Sequence, residues 1–213
     1  MLPFEKFIKE RMSEKRFIHS VNVAKTARWL AFKYDVDDRK AVIAGILHDI
    51  TKEWLLNDHL SFLHTYNIGV SSYEYASPKL FHAITASCYA KIILKITDVD
   101  ILNAIRFHTT GRPGMSQLEK VIFLADGISE ERRYSGVNEL RYIAEYSLDD
   151  AVFKEIAGVI SDELLKKSRL IHPDTFNAYN EFVLSRAKKM KNLYPYIRIS
   201  DYINLEVVNN RVR

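Results

Sequence analysis

Ala41-Val-Ile-Ala-Gly-Ile-Leu-His48-Asp49 is the stretch on which the fold class turns. An unbroken run of apolar and small residues ends in a histidine and an aspartate. The preceding Tyr-Asp-Val-Asp-Asp (34–38) supplies N-cap residues, so the spacing predicts a helix from Arg39 to about Thr51. The carboxylate of Asp49 then closes an apolar helix, where an unpaired charge is very costly. A cation is its simplest partner.

Outward from this helix the same periodicity recurs. Upstream, Phe17, Val21, Ala24, Ala27, Leu30 and Tyr34 repeat at three and four positions, which is helical. Downstream, helices are expected at 53–66, from Pro78 to about Ile96, and from a cap at Thr97 or Asp98 through His108. Ser116-Gln-Leu-Glu119 reads as a capping box opening the helix that carries Asp126. Further helices are expected at 137–146, 148–168 and 173–191, the last with Pro173 in its first turn. Residues 67–78 and 109–114 read as loops. With only 7 Gly and 5 Pro in 213 residues, the pattern is all-α. It predicts a single helical bundle over 1–191 and a C-terminal tail over 192–213. That tail is β-prone and then basic; packing on the bundle, pairing with a second chain as a homodimer, or staying disordered are all open to it.

At 47% apolar and 27% charged residues the chain reads as soluble and globular, and its length suits one well-buried domain. The single cysteine, Cys88, excludes a disulfide framework and fits a reducing cytoplasm. The charged N-terminus is no signal peptide, and no run approaches the ~18 apolar residues of a membrane span. A net charge of +4 suits an anionic small molecule, but is too small and dispersed to argue for nucleic acid.

The chemistry lies in His19, His48, Asp49, His82, His108 and Asp126, each in or beside an apolar helical stretch. Four imidazoles and two carboxylates exceed the four ligands of a single zinc, so the set predicts a dinuclear metal site. His59, His64 and His172 read as packing or surface residues, and Trp29 and Trp54 as packing. Lys52, four residues after His48, shares its helix face and is a candidate for both catalysis and phosphate binding. Thr109-Thr110-Gly111-Arg112 follows His108 directly and offers hydroxyls, backbone N–H groups and a guanidinium fork for phosphate. Arg132 and Arg133 are further substrate-binding candidates.

Several stretches together carry a family resemblance: Arg16-Phe-Ile-His-Ser-Val-Asn-Val-Ala24, Ala44-Gly-Ile-Leu-His-Asp-Ile-Thr-Lys52, His108-Thr-Thr-Gly-Arg-Pro-Gly-Met115, Glu119-Lys-Val-Ile-Phe-Leu-Ala-Asp126 and Ile171-His-Pro-Asp-Thr175. From about Lys15 to Leu184 the chain resembles the HD superfamily, and within it the symmetrical dinucleoside tetraphosphatases. The resemblance implies an all-helical HD domain, a dinuclear centre most like iron, with manganese or zinc as alternatives, and hydrolysis of diadenosine tetraphosphate to two ADP. By the same resemblance His19, His48, Asp49 and Asp126 hold one ion, and Asp49, His82 and His108 the other, with Asp49 bridging. Two metals ~3.5–4 Å apart can acidify a bridging water, and the hydroxide so formed attacks phosphorus. The rival readings are an HD phosphohydrolase of another nucleotide (a nucleoside di- or triphosphate, an alarmone or a monophosphate) and a nucleotide-sensing module. The chain departs from the family at Gly127-Ile-Ser-Glu-Glu131, where an Ile-Glu-Pro stretch is usual and a supporting carboxylate is therefore missing or shifted. Ala83 stands where Gly commonly follows the ligand histidine.

Overall fold

The computed structural model describes residues 2–166 and 169–193, and every regular element among them is helical. In order these are α1 (Glu5–Lys9), α2 (Glu14–Lys33), α3 (Asp38–Leu47), α4 (Leu56–Thr65), α5 (Ser72–Tyr75), α6 (Phe81–Ile92), α7 (Val99–Phe107), α8 (Gln117–Ile128), α9 (Val137–Ala144), α10 (Leu148–Ser161) and α11 (Pro173–Leu193). A 3-10 turn, Pro78–Leu80, leads into α6, and a π-helical turn, Asp162–Lys166, follows α10. The all-α expectation holds. Among the described residues no helix is long and apolar enough to cross a membrane.

Local chemistry sets the helix ends. Ser13, Asp37, Asp98, Ser116 and Ser147 each accept a backbone N–H from the first turn of the helix they precede. The helix expected from 53 starts at Leu56 because Asp58 accepts the N–H of Leu55 at 3.1 Å. The loop expected at 67–78 contains α5, opened by a capping box of Ser71 and Glu74. Only half of the box expected at Ser116 forms. Ser116 accepts the Glu119 N–H, but the Glu119 carboxylate turns to Arg112. α1 is too short to show a period in the sequence and was not expected.

The described residues up to Tyr179 form one compact unit, and those from Asn180 belong to a second. In the second unit the described residues are helical. Of the tail expected at 192–213, residues 194–213 lie outside the described residues.

In the first unit α2 packs on α3 and α8, α3 also on α7 and α8, α6 on α7, and α10 on α8 and α9. Ala24, Ala27, Leu30, Ile46, Leu47, Ile105, Ile122 and Leu124 are wholly buried among these helices. Small residues set the closest approach. A Cβ at Gly45 would stand 2.9 Å from the Cα of Ala24 and 3.4 Å from the Cβ of Ala27. This tight α2–α3 packing brings His19, on α2, beside His48 at the end of α3.

Candidate metal centre and cavity

Asp49 is the centre of the cluster. Its Oδ1 lies 3.3 Å from His82 Nε2 and 3.6 Å from His108 Nε2. Its Oδ2 lies 3.4 Å from His48 Nε2 and 3.6 Å from His19 Nε2. Each carboxylate oxygen therefore faces two imidazoles. Asp126 Oδ1 lies 3.2 Å from His19 Nε2. Donor atoms of His19, His48 and Asp126 all fall within 4.8 Å of one another, as do those of His48, Asp49 and His108. The structure thus brings all six residues together, from α2, α6, α8 and the ends of α3 and α7.

Three of the rings are oriented in the same way. His48 Nδ1 donates to the carbonyl of Gly45 at 2.7 Å, His82 Nδ1 to Lys79 at 2.6 Å, and His108 Nδ1 to Ile105 at 2.7 Å. Each acceptor is the carbonyl three residues back. His48 and His108 follow the last residues of α3 and α7, where carbonyls lack intrahelical partners. A carbonyl only accepts, so Nδ1 carries the proton and, in the neutral ring, Nε2 presents a bare lone pair to the cluster. His19 differs. Its Nδ1 contacts Glu131 Oε1 at 2.5 Å, and Glu131 also accepts from Asn22 and Ser129. The carboxylate that the family pattern made missing or shifted is thus present, at Glu131.

Burial pushes the pKa of His48 down, and burial with His108 nearby pushes that of His82 well down. Burial also lowers His19, but hydrogen bonding to Asp126 and Glu131 outweighs it and the net shift is upward. Burial raises the Asp126 pKa, yet the hydrogen bond to His19 and the charge of Arg132 bring it below the usual carboxylate range.

This donor set suits a cation. The buried Asp49 Oδ1 accepts no hydrogen bond among the described residues, while lone pairs of buried rings converge on it. Imidazole with carboxylate matches iron, manganese or zinc better than magnesium or calcium, which prefer all-oxygen ligation. Metal-bound histidines characteristically give their other ring N–H to a carbonyl or carboxylate, as all four do here. On the flank, Arg16 Nη1 contacts Asp49 Oδ2 at 2.5 Å. The sequence reading missed Arg16, although it stands one helical turn before His19.

A cavity of about 310 Å³ opens over the cluster, and His82, His108 and Asp126 are part of its lining. Of the predicted substrate-binding residues, Lys52, Thr109, Thr110 and Arg132 line it. Lys52 Nζ lies 3.0 Å from His82 Nε2, and Arg132 donates to Asp126. Three predicted residues are placed elsewhere. The Arg112 guanidinium is committed to Glu119, with two bonds of 2.7 Å, and lies over the Phe107 ring. Gly111, at φ 61°, serves the turn after α7, its N–H bonding the carbonyl of Phe107. Arg133 is exposed and bonds the carbonyls of Glu130 and Arg132. Conversely His172, read as a packing or surface residue, lines the cavity, with Lys79, Tyr134 and Glu155. Thr175 ties this segment to the loop after His108 by donating to the Thr110 carbonyl at 2.7 Å. His59 is buried and bonds Thr85, in keeping with a packing role.

Comparison with known proteins agrees with this geometry. The HD domain family model matches residues 16–131, a span that contains all six clustered residues and Glu131. The chain belongs to the HD-domain family. As an HD-domain protein it is 37% identical over 179 residues to a symmetrical bis(5'-nucleosyl)-tetraphosphatase of Halalkalibacterium halodurans, covering 84% of this chain and 95% of the relative. It is 38% identical over 176 residues to the protein of that name in Bacillus subtilis, covering 83% and 94%. A crystal structure from Clostridium acetobutylicum, of a protein described as a predicted HD superfamily hydrolase involved in NAD metabolism, superposes with a TM-score of 0.82 at 34% identity. That match covers 85% of this HD-domain chain and 96% of the other.

Proposed function

We propose that this chain is a metal-dependent phosphoanhydride hydrolase that cuts diadenosine tetraphosphate at its centre to give two ADP. The observation that carries this is the cluster of four histidines and two aspartates beneath a cavity that Lys52 and Arg132 help to line, in a chain 37–38% identical to symmetrical tetraphosphatases. His19, His48, Asp49 and Asp126 would hold one ion, and Asp49, His82 and His108 the other, with Asp49 shared between them. The donor set admits iron, manganese or zinc, and it is the resemblance to the tetraphosphatases that favours iron. When bound, the ions supply neutralisation of phosphate charge and acidification of water.

The chain's own residues do the rest. Lys52 and Arg132 meet phosphate oxygens with positive charge, and the hydroxyl of Thr109 adds a hydrogen bond, while that of Thr110 is given to the carbonyl of Gly111. Together they hold one phosphorus in line for attack. Arg132 is tied to Asp126, so its charge is fixed in place. Leu80, Phe123 and Leu170 in the cavity wall exclude bulk water, which strengthens these contacts. The cavity sits at the low end of the ~300–1,000 Å³ typical of small-molecule sites. It suits one nucleoside diphosphate arm, which places the middle of the tetraphosphate at the cluster. The lone Cys88 keeps a reducing cytoplasm as our assignment of compartment.

The test is a product assay on protein loaded separately with iron, manganese or zinc. Diadenosine tetraphosphate should give ADP as its sole nucleotide product. Equal AMP and ATP would overturn the symmetrical cut. No turnover, with rapid hydrolysis of a mononucleotide or alarmone, would change the substrate.

A further inference from the structure

α10 gives the cavity a chemistry unlike that of its cationic residues. Glu155 and Val159, four residues apart and so neighbours on one face of α10, both line it, together with Leu170 and Ile171. Tyr134 donates its hydroxyl to Glu155 Oε2 at 3.2 Å. Gly127 makes room for the other oxygen, since a Cβ there would stand 2.5 Å from Glu155 Oε1. Burial, with Asp126 nearby, pushes the Glu155 carboxyl pKa up against the opposing pull of Tyr134 and Arg132. A phosphate would add a further anion to this place and finds no match there. The partner that a carboxylate recognises is a hydrogen-bond donor, and the neighbouring apolar residues suit a base. In a nucleotide, the group that offers paired donors beside a base is the ribose.

We propose that Glu155, oriented by Tyr134 and given space by Gly127, accepts hydrogen bonds from the ribose 2′- and 3′-hydroxyls and marks the nucleoside end of the cavity. This rests on the assignment of the cavity to a nucleoside polyphosphate. It makes Glu155 a specificity-determining residue that favours ribonucleotides over their deoxy counterparts and over bare polyphosphate.

The experiment is calorimetric titration of the metal-loaded full chain with ADP and with 2′,3′-dideoxy-ADP. The unmodified protein should bind ADP about 10- to 100-fold more tightly, the range that a hydrogen bond to a charged group provides. Glu155→Ala should bring ADP down to the dideoxy level and leave dideoxy-ADP affinity as it was. Glu155→Gln, which keeps an acceptor oxygen and the side-chain volume, should fall between the two and serves if the alanine variant does not fold. Tyr134→Phe should weaken the discrimination in part. Undiminished discrimination in the Glu155 variants would overturn the proposal, and so would an equal loss for both ligands, which would mark a purely structural role. Turnover of diadenosine tetraphosphate is scored separately. Its absence in the unmodified protein would count against the proposed reaction, while the ADP comparison still decides the role of Glu155.

Discussion

The Nε2 atoms of His82 and His108 lie 3.2 Å apart, and each ring already donates its Nδ1–H to a carbonyl. Two lone pairs at that separation repel, and Asp49 Oδ1 adds a third electron-rich atom 3.3 Å from the first and 3.6 Å from the second. A bound cation removes this repulsion, so metal should stabilise the fold. Free metal at 100 times its dissociation constant is worth ~2.7 kcal/mol. For a chain of this size each kcal/mol moves Tm by ~2–4 °C, so loading should raise Tm by about 5–10 °C. Scanning calorimetry with and without a chelator checks this. Elemental analysis should find that His108→Ala keeps one ion and Asp49→Ala neither. An unchanged Tm and full metal content in Asp49→Ala would remove the shared-carboxylate centre.

Arg112 should prove structural. Glu119 is nearly wholly buried and takes both of its strong hydrogen bonds from this guanidinium. Removing one partner of such a pair costs ~3–5 kcal/mol when both are buried. The Arg112 side chain is 33% exposed, which reduces the expected loss to about 2–3 kcal/mol. Arg112→Ala should lower the denaturation midpoint while kcat/KM per folded molecule stays near the original. Adding Glu119→Gln should restore part of the stability. A large fall in kcat/KM with unchanged stability would instead return Arg112 to phosphate binding.

Gly45→Ala should destabilise the chain, although alanine is the better helix former by ~1 kcal/mol. The new methyl would stand 2.9 Å from the backbone of Ala24, which cannot rotate away. Overpacking of this kind costs ~1–3 kcal/mol, so the net change should be a loss of up to about 2 kcal/mol. Forcing α2 and α3 apart also moves His19 from His48, so metal affinity should fall with it. Urea unfolding and metal titration of the same variant would show both, and a stabilised variant would contradict the packing.

These cases show what the sequence could carry. His19, His48, Asp49, His82, His108 and Asp126 were legible because their residue types are out of place in apolar helices, and one reason, a shared cation, accounts for all of them. Lys52 was a candidate from its spacing to His48, although α3 ends at Leu47, and Arg132 only as part of a charged turn. Arg112 and Gly111 are not among the residues that line the cavity, which sequence does not reveal because it gives a residue type without its partner. Glu119, seven residues on, looked like half of a helix cap and is instead the anion that holds Arg112. Glu155 and His172 reach the cavity only through tertiary packing, and on their own helix or turn nothing sets them apart from surface residues. Glu131 was hidden by the shift in the family pattern, and its role emerges from contact with His19 alone.

Acid sensitivity should trace in part to Glu74, which is buried on α5 and paired with Arg106. Burial raises its pKa, but the N–H of Ser71 and the Arg106 guanidinium outweigh burial and depress it. A carboxyl depressed in the folded state adds stability above its unfolded value, and that stability is lost as pH falls through the folded one. Glu74→Gln should therefore cost ~1.5–3 kcal/mol at neutral pH, the worth of a hydrogen bond to a charged group. The gap to the original protein should close as pH drops below the ordinary glutamate range. Urea midpoints measured across that range decide it, and a gap independent of pH would rule the linkage out.

Lys52 separates metal holding from phosphate holding. Its Nζ lies 3.0 Å from His82 Nε2 and 3.9 Å from Asp49 Oδ1, and it lines the cavity as well. Burial pushes its pKa down and Arg16 and Arg132 add to that, against the pull of Asp49 and Asp126. A lysine so placed sits where a cation would share His82 and where a phosphate would enter, and only its role toward phosphate survives metal loading. Lys52→Gln should therefore keep the full metal content and still lose transition-state stabilisation. A loss of ~2–4 kcal/mol, by analogy with removing one preorganised donor, corresponds to about 30- to 1,000-fold in kcat/KM. Lys52→Arg should recover part of it by restoring the charge without the same reach. If Lys52→Gln binds less metal in proportion to its lost activity, the lysine serves the cluster and not the substrate. If it retains full kcat/KM with both ions bound, the phosphate contacts belong to Arg132 and Thr109 instead.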